Sequence, residues 1–139
     1  MRKASIICAF IACLGMMSFC TKGDIDTTIH QFVEKYFPQT QILTTVLDEG
    51  EYDVMLSDNT KLEFTRKGEW KEIDCKHSNL FTAVPAEIVP QAITTYVSTN
   101  YPQNDIVKIK KDRRHWEIEL DNDLDIEFDK NFNVVEIDM

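Results

Sequence analysis

The sequence predicts an α+β protein in which one unit is used twice, each copy a helix followed by four antiparallel strands. The strands are expected to join into one continuous antiparallel sheet with both helices on one face. Three observations predict this: the chain matches itself at an offset of 64 residues, each copy opens on apolar residues at helical spacing, and the rest of each copy alternates apolar and polar residues.

The self-match runs without a gap from Ile29–Cys75 onto Ile93–Met139. It pairs Ile29 with Ile93, Val33 with Val97, Pro38 with Pro102, Leu56 with Leu120, Phe64 with Phe128 and Ile73 with Ile137. Phe32/Tyr96, Tyr52/Trp116 and Leu62/Ile126 match in kind. A gapless match that keeps the apolar positions marks a structural repeat. The chain divides accordingly into an N-terminal signal (1–20), repeat one (24–75), a linker (76–89) and repeat two (90–139).

Ile25, Ile29, Phe32, Val33 and Tyr36 fall on one helical face, as do Val89, Ile93, Tyr96 and Val97. Pro90 suits a helix start, where its missing N–H costs nothing. Pro38 and Pro102 disfavour helical geometry in the residue before them, so the helices are placed at about Asp26–Phe37 and Pro90–Tyr101. After each helix the period becomes two: Tyr52, Val54 and Leu56 against Asp53 and Met55, and Trp116, Ile118 and Leu120 against Glu117 and Glu119. Such alternation belongs to an antiparallel sheet with one covered face. The expected core is Phe32, Tyr52, Leu56, Phe64, Tyr96, Trp116, Leu120 and Phe128.

The first residues read as an export signal: Arg2-Lys3, then an apolar run from Ser5 to Met17 that is too short for a membrane span. Cys20 has two readings, cleavage just after it or lipidation on it. Either places the protein in the periplasm, at the cell surface or outside the cell. Of the 15 basic residues, Arg2 and Lys3 precede every one of the 24 acidic residues, which leaves a net charge of −11 beyond Cys20. A surface of that sign repels nucleic acid and anionic membranes and favours a cationic partner. Beyond Cys20, Cys75 stands alone, either a small buried hydrophobe or a reactive thiol, and the apolar strand it closes favours the first.

Val89-Pro90 before a helix, Tyr36-Phe37-Pro38 and Tyr101-Pro102 after one, and then Tyr52-Asp53-Val54, Trp116-Glu117-Ile118, Glu63-Phe64 and Glu127-Phe128 form a pattern. It resembles the PepSY-like domain, which is similar to the β-lactamase-inhibitor-protein fold and occurs in exported proteins of Gram-negative gut anaerobes. The resemblance covers nearly all of the chain after the signal and implies binding or inhibition rather than catalysis. It departs from the lactamase inhibitors in one respect: they carry disulfides in each repeat, and Cys75 has no partner here.

No catalytic residues, cofactor or metal ligands are assigned, and the protein is expected not to be an enzyme. The four glycines form neither a phosphate-binding loop nor a nucleophile elbow. His30, His77 and His115 are not spaced as metal ligands. Asp121 to Asp125 resembles the opening of a calcium loop, but Ile126 and Phe132 occupy the positions that require Gly and Glu.

The uncovered sheet face is then the candidate binding surface, with Val46, Met55 and Trp70 from repeat one and His115, Glu117 and Glu119 from repeat two. Trp70 is read either as a partner anchor on that face or as packing at the seam between copies. The partner expected is an envelope or secreted protein or peptide, with a basic patch. The alternative is a sensor or buffer of cations such as calcium, using the acidic strands of repeat two.

Overall fold

A computed structural model describes residues 22–139; the expected signal and Cys20 lie outside the described residues. Repeat one contains α1 (Lys22–Tyr36), β1 (Ile42–Asp48), β2 (Glu51–Leu56), β3 (Lys61–Thr65) and β4 (Trp70–Asp74). Repeat two contains α2 (Gln91–Asn100), β5 (Ile106–Lys111), β6 (His115–Leu120), β7 (Asp125–Asp129) and β8 (Val134–Asp138). The eight strands form one antiparallel sheet whose spatial order is the chain order.

The repeat extends to irregular details. Register shifts at Ile42/Thr44 and Glu63/Phe64 recur at Ile106/Lys108 and Glu127/Phe128. Asn59 and Asp123 share a left-handed backbone, φ 72° and 64°, at the matching β2–β3 and β6–β7 turns. Helix α1 begins earlier than expected, at Lys22. Its first turn carries Asp24, which suits the positive end of the helix dipole.

Both helices cover one face. Residues paired directly across strands share a face, and the chain of partners Leu62↔Ile73↔Ile109↔Ile118↔Ile126 crosses the sheet from β3 to β7, every member 2% exposed or less. Phe64 and Phe128, two residues on from Leu62 and Ile126, share that face. Phe32 of α1 meets Phe64 edge-on at 5.2 Å, and Tyr96 of α2 meets Phe128 edge-on at 5.4 Å. The two contacts are the same contact, 64 residues apart.

Of the expected core, Leu56, Phe64, Leu120 and Phe128 are fully buried. Phe32, Tyr52, Tyr96 and Trp116 are only half-buried at its rim. Tyr52 and Trp116 lie next to the hairpin tips, and Phe32 and Tyr96 flank the buried Val33 and Val97. Ile29 and Ile93, 0% exposed, complete the centre.

The linker does more than connect. Val84 and Val89 enter the core, and the backbone N–H of Val84 donates to Ile106 O at 2.8 Å. Asp58, in the β2–β3 turn, is buried and ties this segment down. Its carboxylate accepts from Thr60 N–H (3.0 Å) and from the hydroxyls of Thr60 (2.9 Å), Ser78 (2.7 Å) and Thr82 (3.1 Å). Burial pushes the Asp58 carboxyl up, but these hydrogen bonds outweigh it and hold the group below its ordinary value.

Cys75 is 2% exposed, and burial pushes its thiol up to about 12. It follows the buried reading, since a thiolate is the reactive form. A maleimide reagent should label the native protein at least about tenfold more slowly than the denatured chain.

Candidate functional site

The face opposite the helices is uncovered, and the register lays its side chains out in rows. One row runs Val46, Asp53, Glu63, Glu72, Lys110, Glu117, Glu127, Glu136 from β1 to β8. A parallel row holds Met55, Lys61, Asp74, Lys108, Glu119, Asp125 and Asp138. Carboxylates stand directly opposite one another at Glu63↔Glu72 and Glu117↔Glu127↔Glu136, an arrangement that is destabilising unless cations intervene.

Near the centre they do. Glu72 lies 3.4 Å from Lys108 Nζ and 3.7 Å from Lys110 Nζ, so β5 supplies the counter-charges for β4. Lys71 pairs with Glu51 and lies 3.6 Å from Glu63. A hydrogen bond with Glu51, then burial, raises the Glu63 carboxyl, while the bonds to Glu63 and Lys71 lower Glu51. Burial and then Glu119 raise Asp125.

On the repeat-one side the face sinks into a concavity of about 420 Å³ lined by Val46, Asp53, Met55, Lys61, Glu63 and Glu72. Val46 is 54% exposed and Met55 half-buried, so this is where uncovered apolar surface meets carboxylates. The sequence placed both residues on this face.

Trp70 is elsewhere, which corrects the open-face reading. The register shift at Glu63/Phe64 inserts one residue on β4, so Phe64 pairs with Trp70 and the indole turns to the helix side. There it packs at the seam between copies, 6.1 Å from the Trp116 ring, with Lys111 Nζ 3.8 Å above its own ring. Lys71 takes the open-face position instead.

In repeat two, His115 is exposed and Glu117 half-buried on the open face, as expected. Glu119 is not available in the way the alternation suggests. Lys76 from the linker covers it with an ion pair and also reaches Asp123 at 2.9 Å, leaving Glu119 9% exposed. Those two carboxylates, Glu119 first, hold Lys76 above the ordinary lysine range. The cover could not be read from sequence, because linker and strand meet only in the fold.

His30 Nδ1 donates to the backbone carbonyl of Asp26 at 2.9 Å. Among the described residues no three His, Cys, Asp or Glu side chains come together to hold a metal ion, and no helix is long and apolar enough to cross a membrane.

Comparison with known proteins places this architecture. None of the curated proteins matches the chain. Several solved structures do. One, from Bacteroides thetaiotaomicron, is described as a "putative calcium-regulated periplasmic protein"; it is 36% identical, with a TM-score of 0.72 over 81% of this chain and 89% of its own. A periplasmic DUF2874 protein from Bacteroides vulgatus is 37% identical, with a TM-score of 0.73 over 83% of this chain and 93% of its own. A second periplasmic protein of unknown function from Bacteroides vulgatus is 35% identical, with a TM-score of 0.71 over 81% and 90%. The exported location expected of this chain agrees with the periplasmic description of these relatives. The family model described as "Putative beta-lactamase-inhibitor-like, PepSY-like" matches residues 50–136. That span carries the second half of repeat one and all of repeat two except the last strand's end, and the chain belongs to the PepSY-like family.

Proposed function

We propose that this is a non-enzymatic binding protein of the periplasm that takes a protein or peptide partner on the open face of its sheet. The partner seats apolar side chains on Val46 and Met55 in the repeat-one concavity. Its basic patch meets the carboxylates of repeat two, Glu117 and Glu127 foremost, with His115 at the tip. The observation that carries this reading is the uncovered face itself. The helices already bury the other side, yet this one keeps apolar side chains beside rows of like charges that a cationic partner would relieve.

The test is capture of a periplasmic partner followed by binding kinetics with purified components. Val46→Asp with Met55→Asp should weaken binding by about 2 kcal/mol or more, roughly thirtyfold, with the fold intact by circular dichroism. Glu117→Gln with Glu127→Gln should instead slow association by about three- to tenfold and flatten its salt dependence. Unchanged binding in both variants rejects the open face.

A second reading, cation sensing, is favoured by the row Glu117↔Glu127↔Glu136 and by the calcium regulation stated for the Bacteroides thetaiotaomicron relative. Under it, calorimetry with Ca²⁺ should give a saturable heat that Glu127→Gln reduces. A linear, dilution-only signal removes this reading and leaves the first.

A further inference from the structure

The β4–β5 ladder that joins the two copies has three partner pairs and ends at Glu72↔Lys110. Beyond that point the β3–β4 and β5–β6 hairpin tips diverge, and a cleft of about 550 Å³ opens between them, on the side away from the linker. Trp70 lines it, together with Thr65 and five cations: Arg66, Lys67, Lys71, Lys111 and Arg113. Its acidic residues are Glu51, Glu69 and Asp112, so the lining is net positive in a chain that is strongly negative elsewhere.

Apart from Lys71, which borders both, the cations differ from those of the open face. There, Lys71, Lys76, Lys108 and Lys110 each lie within ion-pair distance of a carboxylate. Among the described residues, Arg66, Lys67, Lys111 and Arg113 have no carboxylate within 4.0 Å. Lys111 lies over the Trp70 ring at 3.8 Å and toward Trp116 at 5.8 Å. Burial holds its ammonium below the ordinary lysine range, against an opposing effect of Glu69. The Arg66 guanidinium lies across Gly50, its Nε 3.1 Å from where a Cβ would stand, so the absence of a side chain at Gly50 lets it lie over the neighbouring tip.

The occupant that fits is anionic, and the backbone narrows its kind. Four amides of the tips are already satisfied by side chains of the same turns. Thr65 Oγ1 accepts from Lys67 and Glu69 N–H at 3.2 Å each, and Asp112 Oδ1 accepts from Arg114 and His115 N–H at 2.6 and 2.8 Å. Those four are not free to cradle a single phosphate. What remains are side-chain cations from two separate tips, spaced along a cleft with an aromatic wall. Guanidinium forks pair with carboxylates in this way, and carboxylates spaced along an extended chain would reach both tips at once.

We infer that this seam cleft is a second binding site, independent of the open face, for an acidic peptide segment of a partner protein. Trp70 and Lys111 form its wall and Arg66 and Arg113 clamp the carboxylates. Trp70 and Trp116, the two tryptophans of the chain, both lie at this seam, so their fluorescence reports occupancy directly. The test titrates a hexaglutamate peptide into the protein at low salt, with inorganic phosphate as a parallel probe. The expected result is a saturable change in tryptophan emission that weakens with added salt. The midpoint should shift at least tenfold in Arg66→Gln/Arg113→Gln and severalfold in Lys111→Met. Because both arginines are exposed, the double variant should keep its melting temperature, and because neither lies on the open face it should keep the binding measured there. No saturable change, or an unchanged midpoint in the double variant, overturns the site. Phosphate binding as tightly as hexaglutamate overturns the peptide assignment.

Discussion

Phe128→Ala should lower the unfolding free energy by about 3–5 kcal/mol in chemical denaturation. The ring is 0% exposed, stands edge-on to Tyr96, and belongs to a strand pinned on both sides by β6 and β8, so little can relax into the cavity. Phe64→Ala, its counterpart against Phe32, should cost a similar amount. Domains of this size hold about 5–15 kcal/mol in total, so either variant should unfold well below the wild-type midpoint. A loss under about 1 kcal/mol in either would mean that the side chain is not the buried keystone of its copy.

Asp58→Ala should cost about 2–4 kcal/mol, because it strands a buried amide and removes the acceptor shared by three hydroxyls. The matched residue of repeat two is Asn122, which is exposed, and Asn122→Ala should stay within about 0.5 kcal/mol. The pH dependence follows from the lowered carboxyl. A group whose folded value lies below its ordinary 3.8 contributes stability that is full above that value and is lost as pH falls through the folded one. Wild-type stability should therefore drop in acid with a component that Asp58→Asn lacks. Equal acid sensitivity in the two proteins, followed by thermal melts from pH 7 to pH 2, would show that Asp58 does not carry it.

What the sequence revealed and what it hid divide along physical lines. Regular periodicity was readable: Leu56, Phe64, Leu120 and Phe128 announce the covered face because each sits in an unbroken alternation. Trp70 was misplaced because a bulge adds one residue to β4, and nothing local to Lys67-Gly68-Glu69-Trp70 announces that addition. Asp58 sits between Ser57 and Asn59, and Glu119 falls on the open-face phase of its strand, so neither showed its cover in sequence; the groups that cover them, Ser78, Thr82 and Lys76, come from the linker. Most of the open face could thus be listed from alternation alone. The seam cleft could not, since its residues meet only where two hairpins diverge.

The strand order also sets an order of assembly. Every ladder but one joins strands separated by a short turn, while β4–β5 pairs Asp74 with Lys108 across the linker and α2. Short-range pairing closes small loops and forms fast, whereas this one ladder must wait for a long loop to close. A chain emerging N-terminus first would complete repeat one while β5 is still missing, leaving β4 as a temporary open edge. That edge reads Lys71-Glu72-Ile73-Asp74, with charges of both signs bracketing a single isoleucine, the kind of strand least suited to recruiting a stray β-segment from another molecule. Glu72, the carboxylate that later helps to lock the two halves together, therefore also guards the half-made sheet while its second half arrives.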